Sequence, residues 1–119
     1  MAPPNRHLEV SGGRLRLSTA GPRFSCRPSV DVLFESIARE YAAAAAGCLL
    51  TGMGNDGAGG LLEIRRAGGL TLAQDEATSV VYGMPREAAR IGAAERVLPL
   101  GEIGPSLASF MAMNTQQVR

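Results

Sequence analysis

Apolar and polar residues alternate in two short segments near the start of the 119-residue chain. The first segment is Leu8-Glu9-Val10 and the second covers residues 14–17, with Gly12-Gly13 between them. A period of two is typical of β-strands with one solvated face, and a glycine pair between two such strands favours a tight turn. The pattern therefore predicts an antiparallel hairpin.

The period changes to that of a helix after Ser29. Apolar residues then recur three or four positions apart, at Val30, Leu33, Ile37, Tyr41 and Ala44. Ser29 is a preferred residue for capping a helix N-terminus, and Gly47 provides a stop signal. We predict a helix between these two residues, followed by a short buried strand at residues 48–51.

Helix-like and strand-like segments alternate through the rest of the chain. Further strands are predicted at residues 70–73 and 96–98, and helices at 57–67, 85–92 and 100–110. Strands that alternate with helices pair in parallel through right-handed crossovers. We therefore predict an α/β fold with three layers, a mainly parallel doubly wound sheet and one antiparallel hairpin. The polar residues 114–119 are predicted to form a frayed tail.

The turn between the strand at 48–51 and the following helix is where chemistry is expected. Ligands of open α/β sheets bind where strands give way to helices. The glycines at positions 52, 54 and 57 let the backbone approach a ligand closely. Asp56 can cap the new helix or reach into a crevice, and an Asp at a helix start is usually a cap.

The same turn also has the spacing Gly52-x-Gly54-x-x-Gly57 of a dinucleotide-binding loop. Asp75 follows the next strand, about where such a loop places the acidic residue for a ribose. Against this interpretation, the Asp56 carboxylate would lie beside a pyrophosphate that needs bare N–H groups and a positive helix end. A small nucleotide-binding α/β module is one alternative for this chain.

Several longer motifs follow one another along the sequence. They are Ala2-Pro3 to His7-Leu8, Arg27-Pro28-Ser29-Val30-Asp31-Val32-Leu33-Phe34, Leu50-Thr51-Gly52-Met53-Gly54-Asn55-Asp56-Gly57-Ala58, Leu61 to Gly69, Ala73-Gln74-Asp75-Glu76-Ala77 and Tyr82-Gly83-Met84-Pro85-Arg86-Glu87-Ala88. Together they cover nearly the whole chain and resemble the second half of the catalytic domain of the CheB-type chemotaxis protein-glutamate methylesterases. The resemblance implies that Asp56 is the acid of a Ser-His-Asp triad. It also places Met53 near the backbone that stabilises the oxyanion.

The resemblance also indicates which catalytic groups these residues lack. The family's nucleophilic serine and catalytic histidine lie upstream of the motif that begins at Ala2-Pro3, and His7 matches a position outside the triad. We therefore expect residues 1–113 to be the C-terminal part of a methylesterase domain, truncated on its N-terminal side and inactive alone. A non-catalytic remnant that binds a receptor or a partner chain is a second alternative.

The implied activity is hydrolysis of glutamate methyl esters, with glutamine deamidation in related proteins. The implied partners are the cytoplasmic helices of methyl-accepting chemoreceptors. The strands that flank residues 48–51 in the family would come from upstream, so we also expect self-association or binding of the upstream half in trans. The resemblance implies neither a cofactor nor a metal.

The composition of the chain bears on its partners, its cysteines and its location. The formal net charge is +1, and all 12 basic residues are arginines without a cluster, which argues against a nucleic-acid partner. Cys26 and Cys48 have neither metal-ligand nor redox spacing, so we expect reduced, partly buried thiols. The first residues lack the apolar core of a signal peptide, and the longest apolar stretch, residues 41–50, is too short to span a bilayer. These features predict a cytoplasmic protein without membrane insertion.

Overall fold

A computed structural model of the chain describes residues 6–12, 14–18, 29–52, 54 and 56–118. Two strands, β1 (His7–Ser11) and β2 (Arg14–Ser18), pair antiparallel, with Val10 opposite Leu15. This pairing confirms the predicted hairpin. Cys26 and the segment around it lie outside the described residues.

Three parallel strands form the main sheet, in the order β3 (Ala46–Leu49), β4 (Leu70–Gln74) and β5 (Arg96–Leu98). The helices are α1 (Val30–Tyr41), α2 (Ala58–Arg66), α3 (Met84–Arg90) and α4 (Leu100–Val118). The alternation of strands and helices and the parallel pairing are as predicted. Helix α4 is longer than predicted, because it continues into the segment expected to be a tail.

The boundary between α1 and β3 differs from the prediction. Helix α1 ends at Tyr41, Ala42 takes a positive φ of 46°, and a 3-10 turn over Ala42–Ala44 leads into β3. Gly47 therefore lies inside the strand and does not end the helix. A Cβ atom at Gly47 would be 2.8 Å from Leu61 Cδ1 and 2.9 Å from Ile64 Cδ1. A side chain at position 47 would therefore force Leu61 and Ile64 to shift, because α2 packs directly on this strand.

Helices cover both faces of the parallel sheet. On one face, Leu49 and Ala73 pack with Leu61 of α2 and Ala88 of α3, while α1 packs against α2. On the other face, Leu72 packs with Ile103 of α4. This arrangement confirms the predicted three-layer α/β architecture.

Strand β3 lies at the edge of this sheet. It pairs with β4, and no strand among the described residues pairs along its other side. Ala46 and Cys48 are half-buried and pack against the cluster that Leu72 forms with Ile103 of α4. The Cys48 thiol is free, as expected.

No helix in the described part of the chain is long and apolar enough to cross a membrane.

Candidate functional site

The turn that joins β3 to α2 lies at the carboxyl edge of the parallel sheet. Gly54 and Gly57 adopt positive φ angles of 94° and 110°, which favour glycine over residues with side chains. Gly57 is the N-cap of α2 and makes no side-chain cap hydrogen bond. Met53, which the family resemblance implies is near the backbone that stabilises the oxyanion, lies outside the described residues.

Backbone hydrogen bonds tie this turn to the segment before α3. Gly52 N donates to Val81 O at 2.9 Å, and Gly52 O accepts from the N–H groups of Gly83 and Met84 at 3.0 and 2.9 Å. A Cβ atom at Gly52 would be 2.5 Å from Met84 Cε. The turn is therefore held in place from its N-terminal end, and position 52 has no room for a side chain unless Met84 moves.

Asp56 caps a helix, but not the one that follows it. Its Oδ1 accepts hydrogen bonds from Ser29 Oγ at 2.6 Å and from Asp31 N at 3.2 Å, and its Oδ2 accepts from Val30 N at 2.6 Å. These donors form the N-terminus of α1, where the helix dipole favours a negative charge. Of the two roles that the sequence left open for Asp56, capping of α2 is therefore not the one it takes, because the tertiary fold brings the N-terminus of α1 to the carboxylate.

Asp31, in the first turn of α1, caps α2. Its Oδ1 accepts from Gly57 N at 3.0 Å and from Gly60 N at 2.6 Å. The side chain is 1% exposed, and this burial is the largest influence on its pKa, which it raises. The hydrogen bond from Gly60 N acts in the opposite direction, and the neighbouring charge of Asp56 adds to the increase of the pKa.

This arrangement disfavours the nucleotide-binding alternative. The N–H groups that would receive a pyrophosphate at the start of α2 already donate to the Asp31 carboxylate. Asp75 is also engaged, since its Oδ1 accepts from Thr78 N at 3.0 Å and from Thr78 Oγ1 at 2.6 Å. Asp75 therefore closes a local turn with Thr78.

His7 contacts Ser29, the N-cap residue of α1. The side chain is fully buried, and its Nδ1 accepts a hydrogen bond from Ser29 N at 3.0 Å. This nitrogen therefore binds the backbone that carries Ser29. The contact is consistent with the sequence interpretation that His7 is not the triad histidine.

Two of the residues that contact Asp56 were not predicted from the sequence to do so. Ser29 was predicted only as the cap of α1, and it does accept from Val32 N at 3.4 Å. Asp31 was not singled out, although both residues belong to the motif at residues 27–34. In the part of the chain that the structure describes, no three His, Cys, Asp or Glu residues form a group that could hold a metal ion.

The family model of the CheB methylesterase matches residues 1–107. Protein-glutamate methylesterase/protein-glutamine glutaminase 5 of Anaeromyxobacter dehalogenans is 57% identical over 111 residues, which are 90% of this chain and 31% of that protein. Protein-glutamate methylesterase/protein-glutamine glutaminase 2 of Pseudomonas aeruginosa is 57% identical over 111 residues, 90% of this chain and 32% of that protein. The chain thus spans about a third of the length of these relatives.

A solved structure shows the same fold. The crystal structure of the Thermotoga maritima CheB methylesterase catalytic domain superposes with a TM-score of 0.81 and 34% sequence identity. The match covers 89% of this chain and 58% of that structure. The described fold is therefore similar to a large part of a catalytic domain.

Proposed function

This chain belongs to the CheB methylesterase family, and we propose that residues 1–113 are the C-terminal part of the catalytic domain of a protein-glutamate methylesterase. The proposed reaction is hydrolysis of glutamate γ-methyl esters, with deamidation of glutamine as a second activity. The observation that carries the proposal is the position of Asp56. Its carboxylate lies on a strand-to-helix turn at the carboxyl edge of a parallel sheet and is held by three donors.

In this proposal Asp56 is the acid of a Ser-His-Asp triad. The acid of such a triad accepts the Nδ1–H of the histidine, fixes the tautomer and stabilises the imidazolium that forms when serine attacks the ester carbonyl. Each carboxylate oxygen can accept about two hydrogen bonds. Among the described residues, two donors bind Oδ1 and one binds Oδ2, so we assign Oδ2 as the acceptor for the histidine. Met53 is proposed to lie near the backbone that stabilises the oxyanion.

The serine and the histidine would come from the upstream part of the domain. One side of β3, which no described strand pairs with, and the half-buried Ala46 and Cys48 beside it offer a surface for that part to cover. Unpaired strand edges recruit other strands. We propose that the chain pairs there with the upstream half, in the same polypeptide or in trans, and that it self-associates when that half is absent.

The proposed substrates are the cytoplasmic helices of methyl-accepting chemoreceptors, and we accordingly propose a cytoplasmic location for the protein. Family membership supports this assignment. The composition agrees with it, since a net charge of +1 without a basic cluster fits a protein substrate better than a nucleic acid.

The experiment is to restore the domain. The chain is joined to the upstream part of the catalytic domain of the Pseudomonas aeruginosa relative, and methanol release from a methylated chemoreceptor is measured. We expect hydrolysis by the joined protein, but neither by the chain alone nor by the upstream part alone. Hydrolysis by the chain alone would contradict the proposal. A joined protein that folds and binds the receptor without hydrolysis would support the non-catalytic alternative.

A further inference from the structure

We propose that Ser29 is a positioning residue that sets the orientation of the Asp56 carboxylate. This inference rests on the proposed role of Asp56 as the triad acid. Ser29 Oγ lies 2.6 Å from Asp56 Oδ1, although 27 residues separate the two in sequence. Ser29 itself contacts the acid and acts on the reaction only through it.

Ser29 Oγ donates to the Asp56 carboxylate, because a carboxylate can only accept. The other contact of this hydroxyl uses a lone pair, since Ser29 Oγ accepts from Val32 N at 3.4 Å. The single hydroxyl proton is therefore available for the carboxylate. Ser29 caps α1 with its lone pairs and holds Asp56 with its proton.

A hydrogen bond to the buried His7 side chain fixes the backbone of Ser29. Ser29 N donates to His7 Nδ1 at 3.0 Å, the imidazole is fully buried, and Ser29 is 3% exposed. The side chain, the backbone N–H and the cap interaction of Ser29 are therefore all satisfied in one geometry. Buried polar groups with every partner in place specify a single arrangement.

The contact matters because a carboxylate rotates easily about its last bond. Torsions that end in an sp² group have broad minima, so hydrogen bonds must set the plane of the carboxylate. Val30 N fixes Oδ2, and Ser29 Oγ with Asp31 N fixes Oδ1. Loss of the hydroxyl leaves Oδ1 with the longer bond of 3.2 Å to Asp31 N, and the plane that presents Oδ2 to the histidine becomes less defined.

The test is a double-mutant cycle in the joined protein described above. The variants are Ser29→Ala, Ser29→Thr, Asp56→Asn and the combination of Ser29→Ala with Asp56→Asn. Ser36→Ala is the matched control, because Ser36 is a fully buried serine of the same helix that donates to Leu33 O and accepts from Val10 N. Thermal unfolding of each variant verifies that it is folded at the assay temperature.

We expect Ser29→Ala to lower kcat by up to about a hundredfold with little change in KM, because misplacement of a catalytic group acts mainly on the chemical step. Ser29→Thr, which keeps the hydroxyl, should recover most of the rate. Ser36→Ala should keep the kcat of the parent. In the Asp56→Asn background, Ser29→Ala should have no further effect.

Two results would overturn the inference while leaving the proposed function intact. One is that Ser29→Ala lowers kcat by the same factor in the parent and in the Asp56→Asn variant. The other is a loss of kcat from Ser36→Ala as large as that from Ser29→Ala. If Asp56→Asn alone keeps the kcat of the parent, the proposed function fails, and the inference fails with it.

Discussion

The carboxylates of Asp56 and Asp31 each bind the N-terminus of the helix next to the other residue. Asp56, which immediately precedes the N-cap of α2, accepts hydrogen bonds at the N-terminus of α1, whereas Asp31 in α1 accepts from Gly57 N and Gly60 N at the start of α2. Each carboxylate lies at the positive end of the other element. The turn that carries Asp56 is therefore fixed to α1 by contacts in both directions.

Removal of the Asp31 carboxylate should destabilise the fold. In Asp31→Ala, the N–H groups of Gly57 and Gly60 lose their acceptor, and we expect the free energy of unfolding to fall by about 1–3 kcal/mol. Asp31→Asn should cost less, because the amide oxygen still accepts and the charge beside Asp56 is removed. Denaturant unfolding of the chain measures both values. Equal losses in the two variants would show that the charge, and not the acceptor, stabilises the contact.

The pH dependence of stability should reveal the raised pKa of Asp31. Burial makes the folded chain hold this proton more tightly than the unfolded chain does. The resulting stabilisation is fully present below the ordinary pKa of 3.8 and is lost as the pH rises through the raised value. Asp31→Asn has no such proton. Its free energy of unfolding relative to the parent should therefore increase from pH 3.8 to neutral pH, and a difference that is constant or decreases would contradict this prediction.

Adjacent glycines of α2 should respond differently to substitution by alanine. A Cβ atom at Gly60 would lie 2.7 Å from Phe34 Cβ and 2.9 Å from Asp31 O, so Gly60→Ala forces α1 and α2 apart. We expect a loss of about 1–3 kcal/mol in the free energy of unfolding. Gly59 is exposed, and its Cβ would make only ordinary contacts with Asp31, at 3.6 Å or more. Gly59→Ala should therefore be neutral or stabilising by up to about 1 kcal/mol, and equal effects at the two positions would contradict the packing account.

Local patterns were sufficient to predict most of the elements. The strand Arg96–Leu98 and the hairpin have the predicted positions, because alternation or bounding turn residues mark them. The predicted end of α1 was wrong, because residues 42–46 are all alanine and have no alternation of apolar and polar residues that could mark a boundary. The chain changes direction at Ala42, whose φ of 46° no local signal indicated.

The contacts of the candidate site could be predicted only in part. Asp56 was identified from its turn and from the resemblance of its motif, and Ser29 from its position before a helical pattern. Their hydrogen bond is a tertiary contact between residues far apart in sequence, so neither local pattern contains it. The capping of α2 by Asp31 was missed for the same reason.

We propose that the Asp56 carboxylate is the triad acid, and kcat for methyl ester hydrolysis by the joined protein with Asp56→Asn tests this claim. The control is Asp75→Asn, which removes a carboxylate that lies at the same sheet edge and closes a turn with Thr78. An asparagine amide can hold the histidine in the wrong tautomer, so we expect Asp56→Asn to lower kcat by about 10⁴-fold. Asp75→Asn should keep the rate of the parent. A folded Asp56→Asn protein whose kcat is within a few-fold of the Asp75→Asn value would contradict the claim.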